Sequence, residues 1–151
     1  MSTFTLSNPI QFLALGFGSG LAPKAPGTFG TLAAVPLFVF ASLLPYHMLV
    51  VLTVLISLSG IYICGYTAKA VGVDDHPAIV WDEIAGFFIT MLFTPVSWLS
   101  LAVGFALFRL FDIAKPWPIS IADKKLHGGL GIMLDDILAG FAAALVMYFI
   151  F

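Results

Sequence analysis

The sequence predicts an all-α protein: a polytopic membrane bundle of about four to five apolar helices, with its charged loops on one, cytoplasmic, face. Three observations carry this reading. Of the 151 residues, 61% are hydrophobic and 9% charged, and the mean hydropathy is +1.10. A soluble domain carries about 25% charged residues, and six basic plus eight acidic side chains cannot coat such a surface. The apolar runs lack the period-two alternation of strands, and backbone embedded in lipid must satisfy its own hydrogen bonds, as helices do. Finally, the charges crowd onto one side of the topology that these runs imply.

The elements follow in order within a single domain, 1-151, made of an N-terminal segment 1-27 and a bundle 28-151. The opening "MSTFTLSNPIQFLALGFGSG" lacks the positive n-region of a signal peptide, so the chain is expected to start on the cytoplasmic side. Asn8 to Phe17 is too short to span and suits the interface. The glycine-rich "GFGSGLAPKAPGTFGT" (Gly16 to Thr31) matches neither a Walker loop nor a dinucleotide fingerprint. Its "PGTFGT" reads as a helix start with Thr28 as N-cap, where free N–H groups could hold an anion such as phosphate; helix capping alone explains it equally well.

Five apolar stretches come next: Thr28 to Leu44 with a kinking Pro36, His47 to Tyr66, Ala78 to Phe93, a fourth between "TPVSW" and Phe111, and Ile137 to Phe151. Several are at or below the roughly 17–25 residues of a spanning helix, which implies a compact bundle. If all five span, the chain start, the 66–78 loop and the 112–136 segment share one side. All fourteen charged side chains then lie on that side or at helix ends facing it. Lys24, Lys69, Lys115, Lys124 and Lys125 place it in the cytoplasm by the positive-inside tendency. No charged path crosses the bundle, which speaks against an ion transporter. The net charge of −2 excludes a nucleic-acid partner, and the single cysteine, Cys64, reads as a small buried hydrophobe.

Two segments echo each other: "WDEIAGF" (Trp81 to Phe87) and "LDDILAGF" (Leu134 to Phe141). Asp82 and Glu83 are placed at the start of one helix, Asp135 and Asp136 at the start of another, and Asp112 at the end of a third. Each doublet is followed three or four residues on by a glycine, Gly86 or Gly140, so acid and glycine share a face. Glycine faces permit close helix approach in membranes, which would bring the carboxylates together. Macrodipole capping accounts for one acid per helix but not for the doubling or for Asp112 at a C-terminus. Converging carboxylates repel unless a cation joins them, and a wet site of hard oxygens that meets phosphate suits Mg²⁺.

"RLFD" sets Arg109 three residues before Asp112, either as a structural ion pair or as a phosphate contact. "KPWP" stops that helix, with Lys115 placed for a lipid headgroup. His76 in "DDHP" and His127 in "LHGG" are loop histidines, solvated or able to protonate a leaving group. The signatures of covalent Cys, Ser or aspartyl phosphatases are missing.

Taken together, "GFGSGLAPKAPGTFGTLAA", "DDHPAIVWDEIAGFFIT", "FRLFDIAKPWPI" and "LHGGLGIMLDDILAGF" resemble the phosphatidylglycerophosphatase A family. The motifs occur in order and leave out mainly Val35 to Ile63. The resemblance implies a Mg²⁺-dependent lipid phosphatase of the bacterial inner membrane, acting at the cytoplasmic face on phosphatidylglycerophosphate to give phosphatidylglycerol and phosphate. Carried onto this chain, Asp75, Glu83, Asp112, Asp135 and Asp136 would bind metal. Asp82, Glu83, Asp136, His76 and His127 would act in catalysis, by attack of water or of an aspartate. Lys24, Thr28, Arg109 and Lys115 would hold the substrate. The expected partners are the phospholipid substrate and membrane lipids. A noncatalytic membrane scaffold and a small metal or lipid transporter are the alternatives.

Overall fold

Proline and capping residues set the first helix boundaries. Asn8 opens α1 (Pro9–Ala14): its side-chain oxygen accepts the N–H groups of Ile10 and Gln11, and Pro9 fills a first-turn position that needs no donor. The computed structural model describes residues 4–72, 76–116, 119, 121 and 128–151, and among these all regular structure is helical. After a 3₁₀ turn at Ser19–Leu21 come α2 (Pro26–Ala41), α3 (Tyr46–Val71), α4 (Trp81–Met91), α5 (Trp98–Ala114) and α6 (Gly128–Ile150).

α2 starts two residues before the expected Thr28. Ala25 is its N-cap in a left-handed conformation and Pro26 supplies the pre-set φ of the first helical position, so Thr28 falls inside the first turn. α5 is opened by a reciprocal capping box, in which the Ser100 N–H donates to the Ser97 hydroxyl oxygen and the Ser97 N–H to that of Ser100. α6 differs most from expectation. It starts at Gly128, so Asp135 and Asp136 lie about two turns inside it rather than at its N-terminus. Macrodipole capping, which fades within the first turn, cannot account for them.

Contacts fix the directions of the helices. Gly27 of α2 meets Glu83 of α4, and further along the Phe38 ring meets Phe87 and Phe88 edge-on, so α2 and α4 run parallel. Gly86 lies against Asp136 and Gly140, which makes α4 and α6 parallel as well. α5 runs the other way, with Arg109 beside Glu83, and Gly104 packed on Met91 and Met147. α3 is also antiparallel to α6, since Gly65 meets Gly129 and Gly60 meets Met133. The starts of α2, α4 and α6 and the ends of α3 and α5 therefore share one end of the bundle.

Among the described residues, two of the apolar helices are long and apolar enough to cross a bilayer, fewer than the five spans the sequence allows: α3, with 26 residues and mean hydropathy 2.3, and α6, with 23 residues and 1.9. The apolar run from Ala78 to Phe93 includes non-helical residues at 78–80 and 92–93. Helical residues number 16 in α2, 11 in α4 and 17 in α5. At 1.5 Å per residue even the longest of these falls short of a hydrocarbon core about 30 Å thick. α4 is buried along its whole length, whereas α3 exposes Val51, Leu55, Leu58 and Tyr62 along one side. Lipid contacts supply no driving force for helix association beyond close packing, so the glycine contacts of α4 and α6 carry weight.

Candidate metal and phosphate site

The charged end of the bundle gathers acids from three helices. Asp82 and Glu83 occupy the first turn of α4, and Asp135 and Asp136 the second and third turns of α6. Asp112 lies in the last turn of α5; all five are buried. One carboxylate oxygen from each of Asp82, Glu83 and Asp136 lies within 4.8 Å of the other two. The shared acid–glycine face brings them there. A Cβ on Gly140 would stand 2.6 Å from the Gly86 carbonyl oxygen, a contact that only glycine permits. Thr90 reinforces the seam, its hydroxyl donating 2.9 Å to the Gly86 carbonyl and 3.4 Å to that of Gly140.

The two doublets are treated differently. Asp82 Oδ1, Glu83 Oε2 and Asp136 Oδ2 are buried without a hydrogen-bond partner among the described residues. Leaving an ionised carboxylate so costs several kcal/mol unless a cation or proton joins it, by about the desolvation penalty of one buried ion. Asp135, by contrast, accepts from the Lys115 ammonium at 2.7 Å. Lys115 reaches it from the C-cap of α5, where the backbone turns left-handed at φ 47°. Burial works against the Lys115 charge, but Asp135, with Asp136 and Asp112 beyond it, outweighs burial and raises its pKa above the ordinary lysine value.

Arg109 is the second cation. Its Nη1 donates to Asp112 Oδ2 in a close i, i+3 pair and stands 3.9 Å from Glu83 Oε1. Among the described residues, five carboxylates thus gather with two cations, and three of the acids bring one oxygen each to a common spot. That donor set can hold a divalent cation such as Mg²⁺, which favours carboxylate oxygen and retains waters for exchange with phosphate.

The remaining predicted residues are spread more widely. Thr28 is half-buried in the first turn of α2, whose Gly27 touches both Arg109 and Glu83, while Lys24 is exposed in the preceding loop. His76 sits before α4 with its Nδ1 accepting the Ala78 N–H at 3.0 Å and its ring edge-on to Phe4; no hydrogen bond joins it to the acids. Asp75 and His127 lie outside the described residues. Lys115 and Asp135 are partnered with each other. Asp82, expected among the catalytic acids, stands in the converging trio. Sequence reasoning passed over Gly27, whose only signal was a glycine in a helical first turn that tolerates most residues.

Fold and site together define a helical bundle with two helices long and apolar enough to cross a bilayer and a buried acidic centre at one end. Residues 12–151 match the phosphatidylglycerophosphatase A (PgpA) family, and the chain belongs to it. It is 47% identical over 150 residues to phosphatidylglycerophosphatase A of Escherichia coli (strain K12), covering 99% of this chain and 87% of that protein. The Haemophilus influenzae protein of the same name is also 47% identical over 150 residues, covering 98% and 92%. A relative from Bacteroides thetaiotaomicron, provisionally named a phosphatidylinositol-3-phosphatase, is 38% identical over 137 residues, covering 85% and 84%. No solved structure matches the chain.

Proposed function

We propose that this protein is a lipid phosphatase that hydrolyses phosphatidylglycerophosphate to phosphatidylglycerol and inorganic phosphate, with Mg²⁺ held by Asp82, Glu83 and Asp136. The relatives' names support the substrate. The observation that carries the site is the convergence of three buried carboxylates whose outer oxygens lack partners. Those orphaned oxygens fit a hard divalent cation in number, charge and softness. When bound, such an ion neutralises phosphate charge and lowers the pKa of a water near it.

The chain's own residues do the rest. Arg109, braced by Asp112, presents a fork of N–H donors to phosphate oxygens beside Glu83. The first turn of α2, with Thr28 and the Gly27 N–H, lies on the other side of that guanidinium and can take a further phosphate oxygen. Lys115 draws Asp135 away, which leaves Asp136 to the trio. Asp82, Glu83 or Asp136 can accept the proton of an attacking water. The lipid tails stay in the bilayer, because the acids lie at one end of a bundle that contains two helices long and apolar enough to cross it. By the positive-inside tendency that end, carrying Lys24, Lys69 and Lys115, faces the cytoplasm of a multi-pass protein in the bacterial inner membrane.

Purified protein in mixed micelles with phosphatidylglycerophosphate tests the reading. Phosphate release should require Mg²⁺, stop with EDTA and fall steeply in Asp136→Asn and Glu83→Gln. Activity unchanged in both variants would sink the site, and none from folded wild type would sink the enzyme. A phosphoaspartate trapped in stalled enzyme would replace water attack by attack from a carboxylate.

A further inference from the structure

We propose that Gly27 is a positioning residue: by carrying no side chain, it lets the first turn of α2 seat the Arg109 guanidinium and the Glu83 carboxylate at the acidic trio. The inference rests on the phosphatase reading for its catalytic consequence but not for its geometry. Gly27 follows Pro26 in the first turn, and its backbone is not left-handed, so nothing local calls for glycine there. Alanine is the better residue in a helix. The reason lies across the interface. A Cβ at Gly27 would stand 3.1 Å from each of three polar atoms: Arg109 Nη1, Arg109 Nη2 and Glu83 Oε1.

Each of these neighbours is tethered by its own contacts. Arg109 is held from behind by Asp112, and its Nε is buried without a partner. Glu83 is buried in the first turn of a helix whose every residue is buried. Within α2, the fully buried Thr31 donates its hydroxyl 2.8 Å to the Gly27 carbonyl, which holds the first turn in its helical shape. A methyl group at Gly27 must therefore shift a guanidinium or a carboxylate by a few tenths of an ångström. Both groups work by position, and such shifts are costly in catalysis while leaving the packing of α2 on α4 intact.

The test uses the full chain in detergent, with three readouts for Gly27→Ala: thermal unfolding, Mn²⁺ affinity by electron paramagnetic resonance, and kcat/KM on phosphatidylglycerophosphate. The expected result is an unfolding midpoint equal to or above wild type, Mn²⁺ binding weakened several-fold, and kcat/KM lowered about tenfold. In an Arg109→Ala background the kcat/KM penalty of Gly27→Ala should shrink, because the group it displaces is gone. Unchanged Mn²⁺ affinity and kcat/KM would overturn the proposal, as would a loss that tracks a fall in the midpoint or a protein that no longer folds. Should wild type hydrolyse no lipid phosphate, the phosphatase reading fails by itself. Mn²⁺ affinity then decides on Gly27, several-fold weakening supporting it and no change overturning it.

Discussion

Asp82-Glu83 and Asp135-Asp136 stand in nearly the same local sequence, yet the bundle uses them differently. The α4 doublet lies in a first turn, where free N–H groups and the macrodipole favour anions, and both its acids join the trio. The α6 doublet lies about two turns inside a long helix with no such support. There one acid, Asp136, turns to the trio and the other, Asp135, to Lys115. A pattern repeated in sequence is thus divided in space into three acids that converge on one spot and one that accepts from Lys115. The difference teaches that doubling an acid near lipid can serve two purposes, one to collect charge for a ligand and one to anchor the collector.

Chelation should break the comparison most completely. Removing divalent cations with EDTA is expected to abolish phosphate release and lower the unfolding midpoint, since a bound ion at 100 times its dissociation constant contributes about 2.7 kcal/mol. Restoring Mg²⁺ should reverse both changes. Next come the two halves of the α6 doublet. Asp136→Asn is expected to lower kcat on the order of 10³-fold, as loss of one preorganised charged group does elsewhere, and to remove the Mg²⁺-dependent rise in midpoint. Asp135→Asn should keep that rise. Equal loss of the Mg²⁺ effect in both variants would show that the doublet is not divided.

A smaller effect is expected from Lys115→Met, which strands Asp135. Because the Lys115 side chain is partly exposed, the loss should be about 1–3 kcal/mol rather than the full cost of a broken buried pair. Activity should fall about 10–100-fold through the displaced neighbour, and Asp135→Asn should recover the stability. The pair also sets a pH limit. A raised lysine pKa in the folded state means its contribution is fully present below the ordinary value of 10.5 and is lost only as pH rises through the folded value. Midpoints of wild type and Lys115→Met should therefore differ by a constant amount from pH 6 to 9. Smallest is Gly140→Ala, whose Cβ meets the Gly86 carbonyl: a loss of about 1–3 kcal/mol and a reduction of activity by a few-fold.

Much of this was legible in the residues. The acid–glycine spacing implied that α4 and α6 approach face to face, and Gly86 and Gly140 meet as that spacing requires. The i, i+3 spacing of Arg109 and Asp112 implied their pairing. Helix lengths were less legible than helix positions, because an apolar run does not reveal that residues 78–80 and 92–93 lie outside the helix. The start of α6 was misplaced for a related reason: glycines at 128, 129 and 131 read as loop, whereas tertiary packing of Gly129 against Ile61 and Gly65 makes them helical.

By itself the sequence determined the environment and the alphabet of the site. A chain so short of charge is compatible with lipid, and five acids in three motifs supply the carboxylates that gather at one end. Which acid pairs with which neighbour was decided by tertiary structure. Lys115 and Asp135 are twenty positions apart, and Gly27 and Arg109 are still more distant along the chain. Nothing local links either pair. Their meeting depends on helix direction and depth, which are set by packing across the whole bundle.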